Sequence, residues 1–393
     1  MSVPERVQFH MVLTAMLYQY TARNSMQQQN DFLKHYRYAL SFYPELLRDT
    51  SLAGMQALTL VVIVLRAYPR PGAAWMISTY ALTKAVEMGL HRSAKAWKET
   101  GSEPDSHHVE MRKRVFWSIL ACHVIIGTAL GRPLVLRVED FDTEMPQPIH
   151  DALPEELSSL TEWQKCSFRI AIYGFGNTVL SMQIYTSIYT VRPAPQQPYE
   201  RMLKRHEKEL QSWHASMPPE LRESQLDPQL RVFALYMDHA YQHLRLVLHH
   251  PALCRTSDPE LTAHNLDICL EASSKLLSIA SDMRSLKSLD STWFNTTIFL
   301  AAIFTTLFAY LERRDRITSA EYNTLSASMD SWIDIMGDIG QLLGEYFFSQ
   351  VMDGNANSSE APGHCCRTHY VRSSLPPHPP SADTSPPKPP QQP

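Results

Sequence analysis

His239 and His243, in the run His239-Ala-Tyr-Gln-His243, are the pair in this sequence best spaced to hold a metal ion. Imidazoles four residues apart share one face of a helix, the arrangement many zinc sites use. The glutamate that follows the first histidine of a zinc protease is missing, and no third ligand stands nearby. Surface or capping histidines are the plainer reading in a chain that holds 17 of them. His364-Cys365-Cys366-x-x-His369 offers softer ligands but lacks tetrahedral spacing. The templates for nucleophilic and phosphate chemistry are absent: there is no G-x-S-x-G elbow and no G-x-x-x-x-G-K-[ST] loop. Gly174-Phe175-Gly176 has neither the third glycine nor the preceding strand of a dinucleotide fingerprint. No convergent set of polar residues is visible, so the expectation is a chain that is not an enzyme and carries no metal or other cofactor.

The bulk composition agrees with a large folded unit. Of 393 residues, 44% are apolar and 19% charged, enough for a packed core and too apolar for wholesale disorder. Only 13 glycines are present, fewer than a doubly wound sheet enzyme would spend on phosphate loops, which favours an all-helical chain. The formal charge of −4 gives no basic excess for binding nucleic acid. Six scattered cysteines make a poor disulfide framework, and reduced thiols in an intracellular compartment are expected.

The elements that must position any site read as helix after helix. Phe233, Met237, Ala240, Leu244 and Val247 step along one helical face, as do Phe116, Ile119, His123, Gly127 and Leu130. Capping boxes at Thr161-x-x-Gln164, Ser257-x-x-Glu260 and Thr318-x-x-Glu321 predict helix starts. Leu58–Leu65 is β-branched in content but lacks turn residues on either side, and is read as a buried helix. Ser291–Leu311 is uncharged and long enough to span a bilayer. Its asparagine and hydroxyl residues favour a central helix of a soluble domain, with no membrane partner. Arg112-Lys113-Arg114 reads as a solvated helix start ahead of an import or phosphate-binding patch. Gly127-x-x-x-Gly131 is expected to let two helices approach closely. Nine of the 27 prolines fall in Pro376–Pro393, so residues 1–350 are expected to form one large all-α domain and residues 351–393 a disordered proline-rich tail.

Several ordered motifs stand out within that frame. An alanine-rich helix ends in Leu90-His91-Arg92, and a basic pair precedes Val115-Phe116-Trp117. Leu130-Gly131-Arg132-Pro133 follows, then an acidic stretch, Glu139–Asp142, that runs on to Pro146. Trp213, Pro218-Pro219-Glu220-Leu221, His250-Pro251-Ala252-Leu253 and Cys269-Leu-Glu-Ala272-Ser273 come later. Together, over roughly Val12 to Phe348, these resemble the fungal-specific transcription factor domain, the middle regulatory region that follows a zinc binuclear cluster in fungal activators.

The resemblance implies a transcription regulator of a metabolic pathway, a secondary-metabolite pathway among the options, acting in the nucleus. It implies a homodimer or another transcription factor as partner and leaves room for a small-molecule effector. The other reading is a non-enzymatic helical module that binds a ligand or partner and has no promoter role. Physical chemistry gives the motif residues structural tasks. His91 and Arg92 can meet the free carbonyls at a helix end. Gly131 and Pro133 can stop a helix, and Arg132 is expected to clamp the acidic Glu139–Asp142 stretch. Two departures matter: His123 stands where such domains usually carry an aspartate, and no cysteine precedes Cys122. The expectation is that this chain lacks the DNA reader, meets DNA only indirectly or through a segment outside it, and needs zinc only if such a cluster exists.

Overall fold

The computed structural model describes residues 1–24, 30–67, 70–95, 105–191, 199–222, 228–251, 258–289 and 292–355, excepting the side chains of 21–24, 30–31, 228–229 and 341–355. Among them are twelve α-helices and no strand. The helices are α1 (Val3–Asn24), α2 (Asn30–Ser41), α3 (Tyr43–Arg48), α4 (Leu52–Ala67), α5 (Pro71–Glu87) and α6 (Ser106–Ala129). Then come α7 (Arg169–Ile188), α8 (Tyr199–Ala215), α9 (Pro228–His249), α10 (Pro259–Ser285), α11 (Trp293–Glu312) and α12 (Ser319–Asn355). Met1–Ser349 form one compact unit. The proline-rich segment, the His364–His369 run and Cys254 lie outside the described residues.

Leu58–Leu65 is helical, as its neighbours predict, and α4 is buried along most of its length. It packs against α1, α5 and α6. From there α6 meets α7, α7 meets α8 and α9, α9 meets α10, and α10 meets α11. The circuit closes because α11 returns to touch α4 and α6. One apolar core runs through this ring, with Phe116, Leu120, Leu82 and Met55 at its centre, each inaccessible to solvent.

Helix starts and stops follow local chemistry. Thr318 and Glu321 form their capping box, with Thr318 N–H donating to the Glu321 carboxylate at 2.8 Å and Glu321 N–H to the Thr318 hydroxyl at 3.2 Å. The Thr161–Gln164 box also closes, at 3.0 and 3.4 Å, but it caps only a turn; the helix begins eight residues later at Arg169. Ser257 lies outside the described residues, and Asp258 caps α10 through its carboxylate. Both Gly89 and Gly131 take positive φ, +67° and +62°, and end α5 and α6 in the same way. In each case the following N–H reaches back five residues, Leu90 to Ala85 and Arg132 to Gly127, both at 2.9 Å.

Of the described helices, α11 is long and apolar enough to cross a bilayer, and half of that stretch is buried. Its inner face holds Phe299, Ala302 and Ala309, whereas Leu300, Phe304, Leu307, Phe308 and Leu311 are exposed. It is therefore a wall of the bundle with an apolar outer face, where the sequence predicts a central helix.

Candidate functional site

The motif residues converge on the crossing loop between α6 and α7. Leu90 is 1% exposed, and its carbonyl accepts the Thr143 hydroxyl at 2.6 Å. The His91 carbonyl accepts the N–H groups of Asp142 and Thr143 at 3.1 and 3.2 Å. Arg92 pairs with Asp142 at 3.2 Å. Trp117 donates its indole N–H to the Glu144 carbonyl at 3.0 Å, while Phe116 and Trp117 both pack edge-on against Phe141. These contacts tie the loop to α5 and α6 without using any catalytic geometry.

Arg112 donates to the carbonyls of Met88 and Gly89 at 3.3 and 3.1 Å, and the His91 imidazole meets the backbone of Val86 in the last turn of α5. Two expectations about these residues need correction. Arg132 has no ion pair with the acidic stretch among the described residues; its guanidinium lies 5.8 Å from the centre of the Trp75 ring. The acids are held instead by Arg92 and by Arg137, which pairs with Asp140 at 3.0 Å. Gly127 serves the loop as well: a Cβ there would come within 3.2 Å of Leu134, so the close approach is to the loop after Pro133 and not to another helix.

The basic run at the start of α6 also turns inward. Arg114 is only 12% exposed, pairs with Glu110 at 3.2 Å and with Asp151 at 3.5 Å, and lies 4.8 Å over the Phe168 ring. Gly176 of the glycine pair leaves room for Trp213: a Cβ would meet the indole at 2.8 Å. Trp213 donates to the Tyr173 carbonyl at 3.2 Å.

His123, in the position usually held by aspartate, is inaccessible to solvent. The Val135 N–H points at its Nε2 at 3.3 Å, so Nε2 must be the acceptor. Nδ1 then carries the proton and donates to the Ser78 hydroxyl at 3.3 Å, which in turn donates to the Trp75 carbonyl at 2.9 Å. Burial pushes this imidazole down to about 4, so it stays neutral.

The feature that sequence reasoning missed is a cavity of about 600 Å³ inside the helix ring, walled by α1, α4, α6, α7, α9 and α11. On α7 Asn177, Ser181 and Tyr185 line it, and just past its end Tyr189, each four residues after the last. His239 and His243 of α9 face Asn295 and Phe294 of α11. His239 and Asn295 are both 7% exposed. Burial brings His239 down to about 4 and His243 to about 3, so both imidazoles are uncharged at neutral pH. The Nε2 of His239 has no hydrogen-bond partner among the described residues. Their rings lie 6.4 Å apart, and no group of three metal-ligating side chains occurs among the described residues. Tyr189 and Ala301 stand at the mouth, where solvent reaches them.

Among the described residues the chain is a helical ring around a cavity, with its crossing loop fastened by backbone and indole hydrogen bonds. The chain belongs to the fungal specific transcription factor domain family, whose model matches residues 7–215, more than half of its length. It is 24% identical over 235 residues to Activator of stress genes 1 of Saccharomyces cerevisiae, covering 58% of this chain and 24% of that protein. It is 30% identical over 119 residues to Negative regulator of pleiotropic drug resistance STB5 of Candida glabrata, covering 30% of this chain and 12% of that one. It is 23% identical over 214 residues to Pyrrolocin cluster transcription factor fsdR of a Fungal sp., with 52% and 27% covered. The chain thus spans about a quarter or less of each of these relatives. No solved structure matches it. The family and these relatives are transcriptional regulators, not enzymes.

Proposed function

We propose that this chain is the regulatory region of a fungal transcription factor and that its cavity receives a small-molecule effector. The observation that carries this reading is the convergence of Asn177, Ser181, His239, His243 and Asn295 on one cavity. Cavities of this size, mostly apolar with a few placed polar groups, are the usual form of small-molecule sites. A ligand that fits this ring better than a loosened one would shift the domain toward the closed form, and that shift is what a transcription factor can pass on.

The pathway is a metabolic one in this reading, with secondary metabolism supported by the similarity to a pyrrolocin cluster factor. The site of action is the nucleus, the protein partner is a second copy or another transcription factor, and contact with DNA is either indirect or through a segment outside this chain. The eight motif residues Leu90, His91, Arg92, Phe116, Trp117, Gly131, Arg132 and Pro133 are proposed to shape the fold rather than to touch ligand. A module that binds ligand with no promoter role shares the cavity, and a reporter distinguishes them. When the chain is fused to an unrelated DNA-binding domain in a fungal host, a regulator changes reporter output when the cavity is filled by mutation; a module without a promoter role leaves it unchanged.

A further inference from the structure

We infer that the cavity selects an uncharged, planar organic molecule bearing both a hydrogen-bond donor and an acceptor; this rests on the reading of the cavity as an effector site. Shape supplies planarity. Tyr185 stacks on Tyr189 with ring centres 5.4 Å apart and planes inclined by 9°, a flat pair leading in from the mouth. Further in, the His239 and His243 rings are inclined by 29°, and Phe294 meets His243 edge-on at 5.7 Å. A flat ring lying against these groups gains the offset or edge-on contacts that aromatic side chains favour.

Polarity supplies the donor and acceptor. A neutral imidazole offers one N–H and one bare nitrogen, and an amide such as Asn295 offers both kinds of group. Asn177 and Ser181 line the same cavity beside the two imidazoles and Asn295, adding further donors and acceptors to its wall. Charge supplies the exclusion. Among the described residues no aspartate or glutamate lines the cavity, so an ammonium group would be stripped of water with no anion of theirs to meet it. Arg66 stands on the wall but is already engaged in an interaction of its own. A carboxylate pushed in beside two uncharged imidazoles would pay the same desolvation that keeps those imidazoles neutral.

The test uses three probes of one shape on the full chain at pH 8: 2-naphthamide, 2-naphthoate and 2-naphthylmethylammonium, titrated by calorimetry. The amide is expected to bind at least about tenfold more tightly than either ion, and Ala240→Phe, which fills the wall, is expected to abolish its binding. Should that variant not fold, Ala301→Trp at the mouth replaces it. An ion binding as tightly as the amide overturns the charge selection and leaves the effector site standing. No binding by any probe, or binding that survives both variants, overturns the site along with the selection.

Discussion

Thr143 donates its hydroxyl to the carbonyl of Leu90 across 2.6 Å, joining the crossing loop to the end of the alanine-rich helix. Both partners are buried, at 6% and 1% exposure, so water cannot take over if the hydroxyl is lost. Thr143→Val, which keeps the shape and removes the donor, should lower stability by about 1–3 kcal/mol, the cost of a buried acceptor left unsatisfied. Urea unfolding checks this, and an unchanged midpoint would mean the loop is held by its other bonds, those of the backbone, Trp117 and Arg92.

Two arginines of the same region should behave differently. Arg114 is nearly buried against Glu110, itself 7% exposed, so Arg114→Met leaves a carboxylate in a dry setting and should cost about 3 kcal/mol or more. Arg132 is exposed and, among the described residues, its guanidinium faces the Trp75 ring, so Arg132→Ala should cost less than about 1 kcal/mol. Denaturation midpoints of the two variants decide; equal losses would show that Arg132 carries a contact beyond that ring.

Acid should weaken the fold before the carboxylates titrate. His123, His239 and His243 are held by burial at about 4, 4 and 3, while in the unfolded chain a histidine titrates near 6.5. Between those values the unfolded state binds more protons, so stability rises with pH there and falls as pH drops from about 6.5 toward 4. Above about 7.5 these three groups contribute almost no slope. Unfolding free energies at pH 8, 6.5 and 5 check the sign, with a small drop expected by 6.5 and a much larger one by 5. The drop should shrink in His239→Phe and in His243→Phe.

Most of the architecture was legible because helical periodicity records which face is buried. Phe116, Ile119, His123 and Gly127 are all buried on α6, as their spacing predicts. The Thr161 box misled because a capping box closes over any turn, and Arg169 begins the helix only after the chain has crossed Cys166. Arg132 misled for a related reason: sequence places it near acids, but only the fold shows that Arg92 and Arg137 reach them first. The cavity was half visible. Asn177, Ser181, Tyr185 and Tyr189 form a stripe at steps of four, and His239 and His243 form another. A stripe of polar residues on one helix reads as a solvated face. Its meaning changes only when a second stripe is brought opposite, which is decided by α11 closing the ring onto α4 and α6.

The central claim is that this cavity controls the regulatory output of the domain. The direct measurement fuses the full chain to an unrelated DNA-binding domain in a fungal host and compares reporter output for the unmodified chain, Ala240→Phe and Ala301→Trp, at matched protein levels. The account predicts that at least one cavity-filling variant shifts output severalfold, in either direction, while Lys208→Ala on the outer surface of α8 leaves it unchanged. Equal output from all four fusions, with the variants folded, would contradict it.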